Sequence, residues 1–257
     1  MNGYHRYVLI PLLTTGIIGL AANDANALSI EPNDFDALVL GPKIVGPVGP
    51  TVDTAFISSD DNGVGDLVSS VSCPVGFTAC TPPTNPADTL YTYVHEITPG
   101  VDFPNDTPPF TTPASVLSFD GVHEFSLTFA AEGFTGIAGY SFSEATAALG
   151  NDDGFAIEQL DDKTLRWRVS GNSGWGTGET ITFFWQTTQS PSGPQGIYSV
   201  ANSNQSGVAN GPIPTPVPVA TNPDDVAIPE TPISLLSTTL ALGGVLTFSK
   251  FRKRAAK

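Results

Sequence analysis

Alternation of apolar and polar side chains, strict in two aromatic-rich runs and interrupted by Phe184 in a third, limits this chain more than any other feature. In residues 123–129, Phe125, Leu127 and Phe129 fall on one side, with Glu124, Ser126 and Thr128 opposite. In 164–169, Leu165, Trp167 and Val169 alternate with Arg166 and Arg168, and in 180–187 Ile181, Phe183 and Trp185 share a face. A period of two places side chains on opposite faces of an extended strand, so each run predicts a β-strand with one buried face. Shorter runs rich in β-branched and aromatic residues occupy 51–58, 64–71, 90–97, 115–119, 136–142, 155–160 and 197–201. Turn-forming clusters separate them, including Asp60-Asp61-Asn62-Gly63, Asp120-Gly121 and Asp161-Asp162-Lys163. Asp120-Gly121 predicts a hairpin joining 115–119 to 123–129, and 161–163 predicts a second joining 155–160 to 164–169. Only 143–149 suggests a helical turn. The pattern predicts an all-β chain with a single β-sandwich domain, Ig-like or jelly-roll-like, over residues 28–206.

Proline and glycine mark the breaks. Repeated Gly-Pro in 41–50 opposes both helix and ladder, and 99–113 holds five prolines, which predicts a long loop. From Gly207 onward, Pro212, Pro214, Pro216, Pro218 and Pro223 predict a Pro-rich linker over 207–227. In polyproline II such a stalk reaches roughly 60 Å at about 3.1 Å per residue.

The two ends carry targeting patterns. Residues 1–27 read as a secretory signal peptide: His5 and Arg6 supply a weakly basic start, a largely apolar stretch follows, and Ala25-Asn26-Ala27 forms a small-residue cleavage site. Signal peptidase cleavage there makes Leu28 the first residue of the mature chain. At the other end, residues 233–249 are apolar and uncharged, about 17 residues long, the lower limit for crossing a hydrocarbon core. Lys250, Arg252, Lys253 and Arg254 follow as a basic stop that favours the cytoplasmic side. Everything between the two signals is then expected outside the cytoplasmic membrane.

Pro229-Glu230-Thr231-Pro232, the transmembrane helix predicted at 233–249 and the basic end together resemble the PEP-CTERM sorting signal, over residues 228–257. Thr231 departs from that family's Pro-Glu-Pro, with Pro232 one place late. The resemblance implies recognition by an exosortase, loss of the helix, and delivery to the outer surface or extracellular matrix of a Gram-negative bacterium. It also implies association with exopolysaccharide and biofilm material. The same motif resembles, more distantly, the Leu-Pro-x-Thr-Gly signal of sortases, and an uncleaved membrane anchor is the plain alternative.

Charge narrows the function classes. The full chain carries a formal net charge of −15. Of its acidic residues, 24 of 25 lie in 28–230, against four of ten basic ones, Lys43, Lys163, Arg166 and Arg168. A segment with a net charge of roughly −20 repels nucleic acid and suits a soluble surface protein. Cys73 and Cys80 close a short loop, and in an oxidising compartment they are expected to form a disulfide.

No motif calls for a cofactor, and no catalytic set is legible. His95 and His123 fall inside predicted strands, and no Gly-x-Ser-x-Gly, His-Glu-x-x-His or phosphate-binding loop occurs. The acid pairs at 60–61, 152–153 and 161–162 sit in turns. Asp60, Asn62 and Asp66 form a weak calcium candidate, with hard oxygen ligands among glycines but without EF-hand spacing. Trp175, Tyr140 and Tyr198 could serve as aromatic platforms for sugars, or simply pack in the core. The expectation is therefore a non-enzymatic exported protein with a structural or adhesive role in envelope or biofilm. The alternative is a carbohydrate-binding module held at the cell surface by a membrane anchor.

Overall fold

The computed structural model describes residues 27–216, apart from 45–51, 83, 104–105, 107–111, 151–153 and 172–173. Twelve strands lie in chain order: β1 (Leu28–Ile30), β2 (Asn33–Asp34), β3 (Val52–Ser58), β4 (Gly63–Ser72), β5 (Tyr91–Pro99), β6 (Glu124–Leu127), β7 (Phe134–Tyr140), β8 (Phe155–Gln159), β9 (Leu165–Val169), β10 (Ile181–Thr187), β11 (Pro191–Ala201) and β12 (Ser206–Pro214). A single α-helix, α1 (Phe142–Leu149), and a 3₁₀ turn at Phe35–Ala37 complete the described elements. The all-β class holds.

All twelve strands belong to one mixed sheet, ordered β1-β8-β9-β6-β11-β12-β3-β4-β5-β10-β7-β2. Every pairing is antiparallel except β2 with β7. The two ends of that order are β1 and β2, which are joined only by Glu31 and Pro32. Three Cα steps span at most about 11 Å, so the sheet must curl until its first and last strands nearly meet. The two edges are therefore very short strands, β1 of 3 residues and β2 of 2, which limits exposed ladder groups.

The curled sheet encloses an aromatic core centred on Phe183. Its ring lies 5.0 Å from those of Phe125 and Phe155, 5.8 Å from Trp175 and 6.1 Å from Trp167. Phe183 belongs to β10, while its partners come from β6, β8, β9 and the loop at Trp175, so the contacts bridge facing parts of the sheet. Trp167 Nε1 donates to the Gly139 carbonyl at 3.1 Å, which satisfies a polar group inside this apolar layer. The predicted alternation is realised in β9: Leu165, Trp167 and Val169 are buried, while Arg166 and Arg168 face outward to Glu158 and Glu124. Those glutamates are their direct cross-strand neighbours.

Three expectations are corrected. Residues 115–119 do not pair with 123–129: β6 lies between β9 and β11, and Val116 makes only an isolated bridge to Gly63. No hydrogen-bonded turn forms at Asp120-Gly121: Gly121 takes φ +67°, the Asp120 carboxylate accepts from Thr177 N at 2.8 Å and the Asp120 carbonyl from Asn202 Nδ2 at 3.1 Å. These bonds turn the chain away from a hairpin. The run 197–201, read as a short strand, is only the end of the longer β11, which lies centrally between β6 and β12. The linker predicted from Gly207 begins later, because Ser206–Pro214 is β12, hydrogen-bonded to β11 along its length and to β3 at Gly207 and Val208. Its prolines are tolerated because the ladder is irregular around Pro212, between Ser192 and Gly196 of the partner strand.

Candidate functional site

The most chemically distinctive cluster is four aspartates: two on the outer face of β3 and β4, and two on the segment that follows β5. Asp53 stands opposite Val68 and Asp66 opposite Ala55. In an antiparallel pair this puts the two carboxylates on one face, one diagonal step apart. Asp53 is 4% exposed and Asp66 1%. The chain leaving β5 crosses over them: Phe103 N donates to Asp66 Oδ1 at 3.3 Å, and this segment brings Asp102 and Asp106. Oδ1 of Asp53, Asp102 and Asp106 are each sealed from solvent without a hydrogen-bond partner. Burial raises the Asp66 carboxyl to about 7, with the Asp53 charge adding to it against the lowering effect of the Phe103 amide. Burial likewise raises Asp53 to about 6, helped by Asp106, Asp102 and Glu96. Asp102 and Asp106 are also raised, chiefly by desolvation. Among the described residues, no group of three or more His, Cys, Asp or Glu side chains is placed to hold a metal ion.

A second polar centre lies in the core. Trp185 Nε1 donates to His95 Nε2 at 3.2 Å. That ring nitrogen must therefore be an acceptor, so the proton is on Nδ1, which donates to Ser69 Oγ at 3.0 Å. Burial lowers the imidazole to about 3 and keeps it neutral. Ser69 and His95 resemble a nucleophile–base pair in composition, but both are 0% exposed. Rings of Tyr198 and Phe125 pack on the histidine at 4.4 and 5.8 Å. A substrate has no route to this pair, and its role is to satisfy polar groups within the aromatic core.

The calcium candidate read from the sequence is regrouped. Asp66 joins Asp53, Asp102 and Asp106, whereas Asp60 is exposed in the β3–β4 turn. Asn62 Oδ1 accepts from Ser115 Oγ at 2.6 Å. Sequence proximity in the turn was the misleading signal, because Asp66 is already inside β4 and buried. A missed signal was Asp53, a charged residue within the otherwise strand-like run 51–58. Asp60 instead helps line a polar groove of about 510 Å³ with Ser59, Asn202, Asn204 and Gln205.

The three aromatic platform candidates are core residues. Trp175 and Tyr198 are 0% exposed and Tyr140 is 6% exposed. Tyr198 Oη donates to the Pro212 carbonyl at 2.5 Å and Tyr140 Oη accepts from Phe155 N at 3.0 Å, so their polar ends are committed as well. Cys73 and Cys80 are joined in a disulfide, with Asn85 Nδ2 donating toward Cys73 Sγ at 3.2 Å. Of the cleavage-site residues, Ala27 is exposed and Leu28 opens β1. Ala25, the motif Pro229, Glu230, Thr231 and Pro232, the helix predicted at 233–249 and the basic residues Lys250, Arg252, Lys253 and Arg254 lie outside the described residues. Among the described residues no helix is long and apolar enough to cross a membrane. Comparison of the chain with family models, with curated proteins and with solved structures gave no match.

Proposed function

We propose that this is an exported surface or extracellular-matrix protein with a structural or adhesive role in envelope or biofilm. In this reading signal peptidase releases Leu28, and an exosortase processes the tail at Pro229–Pro232 after the predicted helix has held the chain in the inner membrane. The observation that carries the reading is the sequence of the tail: a Pro-Glu motif, an uncharged apolar run and a basic stop within 228–257. The described β-domain supports it. Its first strand starts at Leu28, it contains a disulfide suited to an oxidising compartment, and its segment is strongly acidic. We read the curled sheet as a β-sandwich of the jelly-roll-like kind, with Phe183 packed between its facing parts. The role is non-enzymatic, with exopolysaccharide as the partner class and no nucleic acid.

The test is the intact mass of the protein recovered from the envelope and the medium of its native host. The reading expects a chain beginning at Leu28 and ending near Pro229–Pro232. A chain running to Lys257 in the membrane fraction overturns processing and leaves an anchored domain.

A carbohydrate-binding module is the second reading, and one observation favours it. The groove lined by Ser59, Asp60, Asn202, Asn204 and Gln205 offers hydroxyl, amide and carboxylate groups suited to sugar hydroxyls. Binding on a glycan array that is lost in Asn202→Ala/Asn204→Ala supports this reading, and an array without binding removes it.

A further inference from the structure

We propose that Asp53 and Asp66 on the sheet, with Asp102 and Asp106 on the segment crossing it, bind one hard divalent cation, calcium by ligand chemistry. This goes beyond the surface role proposed above and can fail independently of it.

The register supplies the platform. Asp53 and Asp66 share the outer face of β3–β4, and Glu96 of β5, opposite Val68, stands on the same face at the rim. A carboxylate removed from water needs hydrogen bonds or a counter-charge. The Phe103 amide serves one oxygen of Asp66. The sealed oxygen of Asp53 has no partner, although the residue is only 4% exposed, and sealed oxygens of Asp102 and Asp106 are equally unmatched.

Among the described residues no cation fills the gap. Lys163, Arg166 and Arg168 are paired with Glu132, Glu158 and Glu124. Lys43 bridges through its backbone to Ser72, at the far end of β4 from Asp66, about 20 Å along the strand at 3.3 Å per residue. Four carboxylates from two strands and one crossing segment are therefore near enough for the charges of Asp53, Asp102 and Asp106 to act on Asp66, with no positive side chain of the described residues among them.

The ligand set selects the ion. Every candidate donor is a carboxylate oxygen, which favours calcium or magnesium over thiolate- or imidazole-seeking metals. Calcium accepts irregular geometry and many oxygens, whereas magnesium demands a tight octahedron and keeps its waters. Because no three of these side chains are placed to hold an ion in this structure, the carboxylates must rotate onto the ion as it binds. That reorganisation, with the repulsion it relieves, implies affinity in the range of extracellular modules, about 10⁻⁴–10⁻³ M.

The experiment uses the purified protein, stripped with chelator and titrated at neutral pH with calcium chloride and, separately, magnesium chloride. Calorimetry and thermal melting are read together. One calcium per chain and a rise in Tm are expected, with a weaker response to magnesium. Asp53→Asn/Asp66→Asn should lose both signals while melting higher than the calcium-free wild type, since it removes two buried carboxylates that have no counter-charge. Asp60→Asn/Asp61→Asn, which removes the same formal charge from an exposed turn, should keep both signals. Should the strand variant fail to fold, Asp102→Asn outside the strands must weaken calcium binding instead. The proposal is overturned by absence of a calcium-dependent heat and Tm shift, by their survival in the strand variant, or, where that variant does not fold, in Asp102→Asn. Equal loss in the turn variant also overturns it, because binding would then be diffuse attraction to an acidic surface.

Discussion

His95 and Trp185 meet through a 3.2 Å hydrogen bond in which the indole N–H donates to Nε2, and this bond fixes the histidine as a neutral Nδ1–H tautomer. Charging the ring would turn Nε2 into a second donor facing the Trp185 N–H, inside a site closed by Phe125, Tyr198 and Ser69. The other titratable groups around it are the phenols of Tyr198 and of Tyr93, which stacks on Trp185 at 4.5 Å. Both phenols are pushed well above their ordinary range by burial and stay neutral in acid.

Acid should therefore destabilise the fold through His95. The imidazole titrates near 6.5 when unfolded and at about 3 in the fold, so between these values the unfolded chain carries the extra proton. The contribution of His95 is complete above about pH 6.5 and is withdrawn as pH falls towards 3. The raised carboxyls of Asp53 and Asp66 act in the opposite direction, so the total slope does not isolate the histidine. The comparison of urea midpoints for wild type and His95→Gln between about pH 7 and pH 4.5 does. Wild type should lose more stability than the variant over that interval. Equal slopes would remove His95 as the acid-sensitive group.

Trp175→Ala should act on folding rather than on recognition. The side chain is completely buried and packs against Phe155 at 5.5 Å and Phe183 at 5.8 Å. Truncating a core tryptophan costs about 3–5 kcal/mol, a large share of the stability of most domains. Chemical denaturation should show that loss. A variant with wild-type stability would mean that the indole is not a core element.

The residues that were legible are those whose environment is local. Leu165, Trp167 and Val169 announce a one-sided strand because alternation survives without knowledge of partners, and the 161–163 turn leaves β8 and β9 no choice but to pair. β12 was illegible because Ser206–Pro214 contains Gly207, Gly211, Pro212 and Pro214, which read as breakers. Gly211 is needed there because a Cβ would approach Tyr198 Cε2 to 2.6 Å, a packing demand visible only once β11 is alongside. The aspartate cluster failed for a related reason. Asp66 was legible as an acid, but its neighbours Asp53, Asp102 and Asp106 are set by strand register and by the crossing segment. Asp60 and Asn62, nearer in sequence, diverge from it at the turn.

Removing the disulfide should weaken the domain without abolishing it. The bridge closes a loop of seven residues' separation, and both sulfurs lie in the core beside Ile44 and Tyr91. The loop-entropy relation gives about 2–3 kcal/mol for a ring of this size. Cys73→Ser/Cys80→Ser should lose about that much in urea unfolding, and the wild type under reducing conditions should shift likewise. An unchanged midpoint in both would show that the unfolded state is not constrained by the link.

Truncation locates the true end of the domain. With residues 207–227 read as linker, a chain ending at Gln205 would lose a single domain residue and keep its fold. The pairing of β12 argues otherwise. It fills the position between β11 and β3, contributes the carbonyl that receives Tyr198 Oη, and buries Ala209 in the core. Without it, β11 and β3 would each expose a row of unpaired backbone groups and an apolar face, a state prone to unfolding or aggregation. A mature chain from Leu28 ending at Pro216 should melt cooperatively, with a Tm close to that of the longer protein. The chain ending at Gln205 should show no cooperative transition. Equal melting of the two would place β12 outside the stable core and restore the linker boundary at Gly207.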